Sequence, residues 1–261
     1  MRPICALGFV LVFALVSGPA AFAQDGGAAA GGAAADTATL DVADVIERLK
    51  SKKGDQRLVA ATEAANVEDD AVTKPLARLL GDDEFGVRAA AVRALAKRTT
   101  DRGKKDAAKA LAARMSKLAK AAHGEGEMLL VIEALGELAQ PASVKPLLDG
   151  ITDETSDDVF EARMNAIARI PHASAIEELI RYLARRGRGK WAGRKRAVTN
   201  ALQQATGQRL GGDPDKWRAW WKENGKTFDF AAAAERRTSE SDERRRREEK
   251  KRERKRRKKG G

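Results

Sequence analysis

Few side chains in this chain could do covalent chemistry, and their spacing restricts what that chemistry would be. His123 and His172 are the only histidines and Cys5 the only cysteine in 261 residues. Neither histidine has a second His or a Cys at ligand spacing, so no metal or other cofactor is expected. Asp82-Asp83-Glu84 and Asp153-Glu154 with Asp157-Asp158 are dense in carboxylates. They stand where inter-helix turns are expected, and there carboxylates cap helix N-termini and meet the positive end of the dipole. The second group could hold calcium only weakly, since it lacks the calcium-loop signature. Phosphate-binding glycine loops, a nucleophile elbow and a dinucleotide fingerprint are all missing. The chemistry on offer is recognition rather than turnover, and no small-molecule substrate is expected.

Recognition chemistry gathers in three places. Arg185, Arg186, Arg188, Lys190, Arg194, Lys195 and Arg196 surround Trp191. Cations with a ring suit a phosphate or acidic-glycan contact, and the other reading is a solvated loop with Trp191 tucked into the core. Further on, Asp213 is a good N-cap and Pro214 a good first helical residue. Trp217, Trp220 and Trp221 then share one face at i, i+3, i+4, either capping the last structural unit or forming a sugar- or peptide-binding shelf. From residue 243 to 259 every side chain is charged. Glu243/Arg247, Glu248/Arg252 and Glu253/Arg257 are favourable i, i+4 pairs, so the segment is expected to be disordered or transiently helical. It suits tethering to an anionic membrane or polymer, or plain solubility.

The elements that must position these residues follow from a register that recurs at irregular intervals between about residues 39 and 206. Val72-Thr-Lys-Pro-Leu-Ala-Arg-Leu-Leu is followed by Asp82-Asp83 and then by Val87-Arg-Ala-Ala-Ala-Val-Arg-Ala-Leu95. Lys145-Pro-Leu, Ile151, Asp153 and Ala162-Arg-Met-Asn-Ala-Ile-Ala-Arg-Ile170 repeat the same classes in the same order. The spacing predicts five helix pairs: 40–50 with 55–66, 70–80 with 84–97, 104–122 with 127–138, 142–151 with 159–170, and 174–185 with 192–205. Gly81, Gly103, Gly124, Gly187 and Gly207 are expected at or between helix ends. Alanines such as Ala91, Ala134, Ala166 and Ala201 are expected where neighbouring helices approach closely. No stretch alternates as a strand would.

Pro75-Leu76, Leu79-Leu80, Asp82, Val87-Arg88, Ala91 and Ala94-Leu95 resemble the HEAT and HEAT-like (armadillo-type) repeats, and Pro146-Leu147, Asp153 and Arg163 resemble them more loosely. The segment Thr206-Gly-Gln with Asp213-Pro and Trp217-x-x-Trp-Trp is similar to the ending of secreted HEAT-repeat proteins of planctomycete-type bacteria. The resemblance implies an all-α protein, an α-solenoid wound as a right-handed superhelix from about five antiparallel hairpins, with a Trp-rich C-terminal capping helix. Solenoid units bury their apolar faces only against their neighbours and leave long surfaces that usually bind rather than catalyse. The DNA glycosylases and bilin lyases among HEAT-like proteins have no motif here that matches residue by residue.

Targeting and charge complete the reading. Arg2, an apolar run from Ile4 to Val16, Ser17-Gly18-Pro19 and Ala21-Phe22-Ala23 form a secretory signal with a small-x-small cleavage site after Ala23. The run is short for a membrane span, and retention as an anchor is the other reading. Residues 24–38 are a Gly/Ala linker, residues 39–230 the repeat domain with its cap at 213–225, and residues 231–261 a basic tail. The net charge of +12 falls unevenly, since 15 Lys/Arg against 7 Asp/Glu after residue 230 give the tail +8. The expectation is an exported, non-enzymatic scaffold that binds a protein partner in the periplasm, cell envelope or extracellular space. The alternative is an adaptor for a polyanion (nucleic acid, anionic lipid or acidic glycan) through residues 185–196 and the tail.

Overall fold

The computed structural model describes residues 41–121, 124–185 and 191–259. The proposed signal, the Gly/Ala linker, His123, Gly187 and the candidate contacts Arg186, Arg188 and Lys190 lie outside the described residues. Among the described residues there is no strand, and the elements fall into five pairs with two closing helices. The pairs are α1 (Val42–Arg48) with α2 (Gly54–Glu63), α3 (Thr73–Leu79) with α4 (Phe85–Ala96), α5 (Asp101–Leu118) with α6 (Glu125–Leu138), α7 (Val144–Leu148) with α8 (Asp157–Arg169), and α9 (Ala173–Leu183) with α10 (Trp191–Thr206). The chain closes with α11 (Pro214–Asn224) and α12 (Phe230–Lys259). The expected five hairpins are all present, and the fold is an α-solenoid.

Stacking follows sequence order in two layers. The second helices form one row, α2 on α4, α4 on α6, α6 on α8 and α8 on α10. The first helices form a looser row in which α5 touches α3 and α7, α7 touches α9, and α9 meets α11. A continuous buried cluster runs from Val45 to Trp217 between the rows. Small residues set the spacing in the tighter row: Ala91, Ala134, Ala166 and Ala201 are buried. Gly136 of α6 lies so close to α8 that an added Cβ would sit 3.0 Å from the Ala166 Cα.

Several boundaries differ from the sequence expectation. Both Lys-Pro-Leu first helices are entered through 3-10 turns, Asp70–Val72 and Pro141–Ser143, and α7 is only five residues long. Gly150, at φ 70°, ends that segment before Ile151 could join it. Gly103 stands at the N-terminal end of α5, inside the helix rather than before it. It lies in the first turn of α5, where a Cβ would stand 2.2 Å from an Asp70 carboxylate oxygen, so its lack of a side chain admits Asp70 to that turn. Thr100 N-caps α5 through the Gly103 N–H and donates its hydroxyl to Asp70.

Replacing Gly136 by Leu is expected to overpack the α6/α8 seam, lowering stability by about 1–3 kcal/mol. Thermal unfolding followed by circular dichroism measures this, and an unchanged melting temperature would show that the two helices are not in close contact there.

Candidate binding surfaces

Arginines in the second helices close the turns between helices, and this removes several expected surface cations from service. Arg57 Nη1 donates to the Ser51 and Lys52 carbonyls, both at 3.0 Å. At the same offsets, Arg88 Nη1 donates to Asp82 at 2.8 Å and Asp83 at 2.9 Å. Arg163 binds the Leu147 and Asp149 carbonyls at 3.3 and 2.7 Å. Carbonyls at helix C-termini have no partner within the helix, and a guanidinium fork can take two at once. Arg163 is fully buried, and burial pushes its pKa down from the usual arginine value.

The same side chains reach between repeats. Arg57 pairs with the Asp82 carboxylate at 2.6 Å. Arg88 reaches from α4 to Glu127 of α6 at 2.9 Å, and Arg114 of α5 meets the same carboxylate at 2.6 Å. Glu127 is 3% exposed. Burial alone would raise its pKa, but hydrogen bonds from Arg114 and Arg88 outweigh that and hold the carboxyl below its ordinary 4.5. Position 128, where a second-helix arginine would be expected, holds Met128, and the neighbouring glutamate accepts a cation from each of two other helices.

Of the expected basic site, the structure describes Arg185, Trp191, Arg194, Lys195 and Arg196. Arg194 is buried, donating to the Thr152 carbonyl at 2.9 Å and to the Thr155 carbonyl, with its guanidinium 4.9 Å from the Phe160 ring centre. It is a structural cation of the core and not a contact for a polyanion. Trp191 packs against Tyr182 at 5.1 Å and edge-on to Phe160 at 6.4 Å, with its N–H donated to the Arg185 carbonyl. That arrangement is the tucked reading. Arg185 is exposed beside the Tyr182 ring, Arg196 is exposed and Lys195 half-buried. Burial of Arg194 was hidden in the sequence by the six other cations around it.

The tryptophan segment takes a single face of α11. Asp213 accepts from the Asp215 N–H at 2.9 Å, with Pro214 in the first turn. Trp217 is fully buried and donates to the Gly211 carbonyl at 2.7 Å. Trp220 and Trp221 are half-buried and pack with Phe228, while Trp221 also reaches Phe230 at the start of α12. The helix α11 rests on α9, and α12 on α10. Ala233 is buried, and Arg237 donates to the Ala168 carbonyl of α8. The first two turns of α12 are thus part of the body, and the charged helix beyond them is exposed wherever its side chains are described.

Two kinds of open surface remain. On the second-helix row, Leu58, Val59 and Phe85 are exposed at 39, 50 and 52%. Farther along that row Glu133 and Glu137 of α6 and Asp158 and Glu161 of α8 are exposed, and among the described residues none of the four is in an ion pair. Residues 124–185 carry twelve Asp/Glu against five Lys/Arg, a net of −7 within a chain of +12. On the first-helix row, the alanine-lined faces of α5 leave one cleft towards α3 and one towards α7. His172 N-caps α9 through Nδ1, a structural task. Among the described residues no three His, Cys, Asp or Glu side chains gather as a metal ion would require, and no helix is long and apolar enough to cross a membrane.

Two expectations follow. Because the folded pKa of Glu127 lies below its ordinary value, its contribution to stability is present above about pH 4.5 and is lost as the pH falls through the folded value. Glu127→Gln should therefore be less stable at pH 7, with the deficit shrinking on acidification; pH-dependent denaturant midpoints measure this. Trp217→Ala should lower stability by about 3–5 kcal/mol, read from thermal melts.

Residues 42–122 match the family model of HEAT repeats. Among solved structures, the chain is similar to a designed armadillo repeat protein in complex with the peptide (KR)4, at 18% identity and a TM-score of 0.41, covering 60% of this chain and 80% of that one. It is also similar to an engineered protein at 17% identity and a TM-score of 0.43, covering 74% of this chain and 93% of the other. No curated protein matches. The match over residues 42–122 marks that segment as similar to HEAT repeats, and the paired helices continue the same α-solenoid architecture beyond it.

Proposed function

We propose that the chain is an exported, non-enzymatic scaffold that holds a protein partner against its second-helix row. The observation that carries this is the row itself. It places exposed Leu58, Val59 and Phe85 on α2 and α4 in line with unneutralised carboxylates on α6 and α8. Apolar side chains supply desolvation energy at an interface, and unpaired charges of one sign select a complementary partner. The partner is accordingly a protein with an apolar anchor and a basic flank. Export rests on the charged, apolar and small-residue regions of residues 1–23.

A second reading, an adaptor for a polyanion, is favoured by the exposed cations of α12 and by Arg185 and Arg196. Salt separates the two, because polyanion binding through several cations weakens by orders of magnitude between 50 and 200 mM salt. Capture from an envelope fraction with the full chain, with a form ending at residue 237, and with Leu58→Ser/Phe85→Ser is the experiment. The protein-scaffold reading expects one partner retained at both salt concentrations and without the tail, and lost with the double substitution. Loss on salt or on tail removal alone would favour the polyanion. Mass spectrometry of the exported protein should find Gln24 as its first residue, and an intact residue 1–23 segment would overturn cleavage.

A further inference from the structure

The first-helix row holds a slot whose make-up no scaffold role requires. It lies between α5 and the Pro141–Ser143 turn that leads into α7, and it encloses about 320 Å3. That is near the lower end for ligand pockets. The slot exists because α7 has five residues beside the eighteen of α5, about 7.5 Å against 27 Å of helix, so α7 cannot cover its neighbour. Ala108 and Ala112 form one wall and Ala142 and Pro146 the other.

Four polar side chains converge on this apolar slot. Ser143 lines it, is 1% exposed, and has no partner for its hydroxyl. It occupies the N-cap position of α7 without capping it. A buried hydroxyl left without a hydrogen bond costs stability, and a native structure that keeps one calls for a reason. Lys105 and Lys109, one turn apart on α5, stand exposed at the rim, and among the described residues neither is in an ion pair. Gln140 closes one end with only a long 3.4 Å bond from its amide nitrogen to the Leu138 carbonyl.

We propose that this slot binds the C-terminus of a polypeptide, its last apolar side chain between the alanine and proline walls and its carboxylate between the Ser143 hydroxyl and the two lysines. The lysines select an anion and the walls an apolar group. The Gln140 amide, able both to donate and to accept, matches a peptide unit and favours a chain terminus over a free acid. The slot lies in the opposite helix row from the surface proposed above, so either assignment can fail without the other.

The test uses the full chain and fluorescent tripeptides ending in Gly-Leu, as free acid and as C-terminal amide, with isocaproate as the small apolar carboxylate. Fluorescence anisotropy should show the free acid binding at least tenfold more tightly than the amide, with isocaproate a poor competitor. Lys105→Glu/Lys109→Glu should abolish binding, whereas Lys50→Glu/Lys52→Glu, the same charge change elsewhere, should not. Ser143→Ala should weaken binding several-fold while leaving the melting temperature of the unliganded protein equal or higher, since no internal hydrogen bond is lost. Equal affinity for acid and amide, no binding of either, competition by isocaproate at peptide-like concentrations, or a lowered melting temperature for Ser143→Ala would each overturn the assignment.

Discussion

The fold depends on one recurring interaction, the arginine that reaches back from a second helix to the carbonyls of a turn. A helical hairpin leaves unsatisfied carbonyls at the C-terminal end of its first helix, and stacking removes water from them. Arg57, Arg88 and Arg163 each satisfy two carbonyls within their own pair, and Arg194 satisfies two in the turn of the preceding pair. Arg57 and Arg88 also carry an ion pair into the next repeat. The guanidinium thus ties down the turns of the first, second and fourth pairs, and from Arg57 and Arg88 it also links to the next hairpin. A lysine would keep the charge but lack the fork that holds two acceptors in one plane.

The third pair tests this logic by breaking it. With Met128 where an arginine would be, α6 offers Glu127 instead and takes cations from α4 and α5. The direction of the contact is reversed, but the polar connection between adjacent repeats survives. Such a buried carboxylate depends on its partners, because losing both cations would leave it charged and unpaired in a dry place.

Much of the architecture was legible in the sequence. Apolar spacing, glycine and alanine positions and the Asp213 cap located all five pairs and α11. What escaped were features decided by neighbours. The shortness of α7 depends on Gly150 and on the turn at Pro141, which local spacing alone read as helix through Ile151. Gly103 looked like a helix stop and is instead a recess for Asp70, 33 residues earlier in the chain. For Trp191 the sequence left two readings, a polyanion contact or a place in the core, and the burial of Arg194 was hidden among neighbouring cations. Their positions are set by Phe160 and Tyr182, whose proximity no local pattern announces. The slot was equally hidden, since it is a mismatch of lengths between two helices distant in sequence.

The pairing of each helix with its nearest neighbours also has a kinetic side. Nearly every packing interface joins elements adjacent or next-but-one in sequence, so little loop-closure entropy stands between the unfolded chain and its first stable contacts. The only cysteine is Cys5, so the stack from residue 41 onward can form without waiting for any covalent cross-link. A chain built this way can be held extended and then assemble hairpin by hairpin, each finished pair serving as the template for the next.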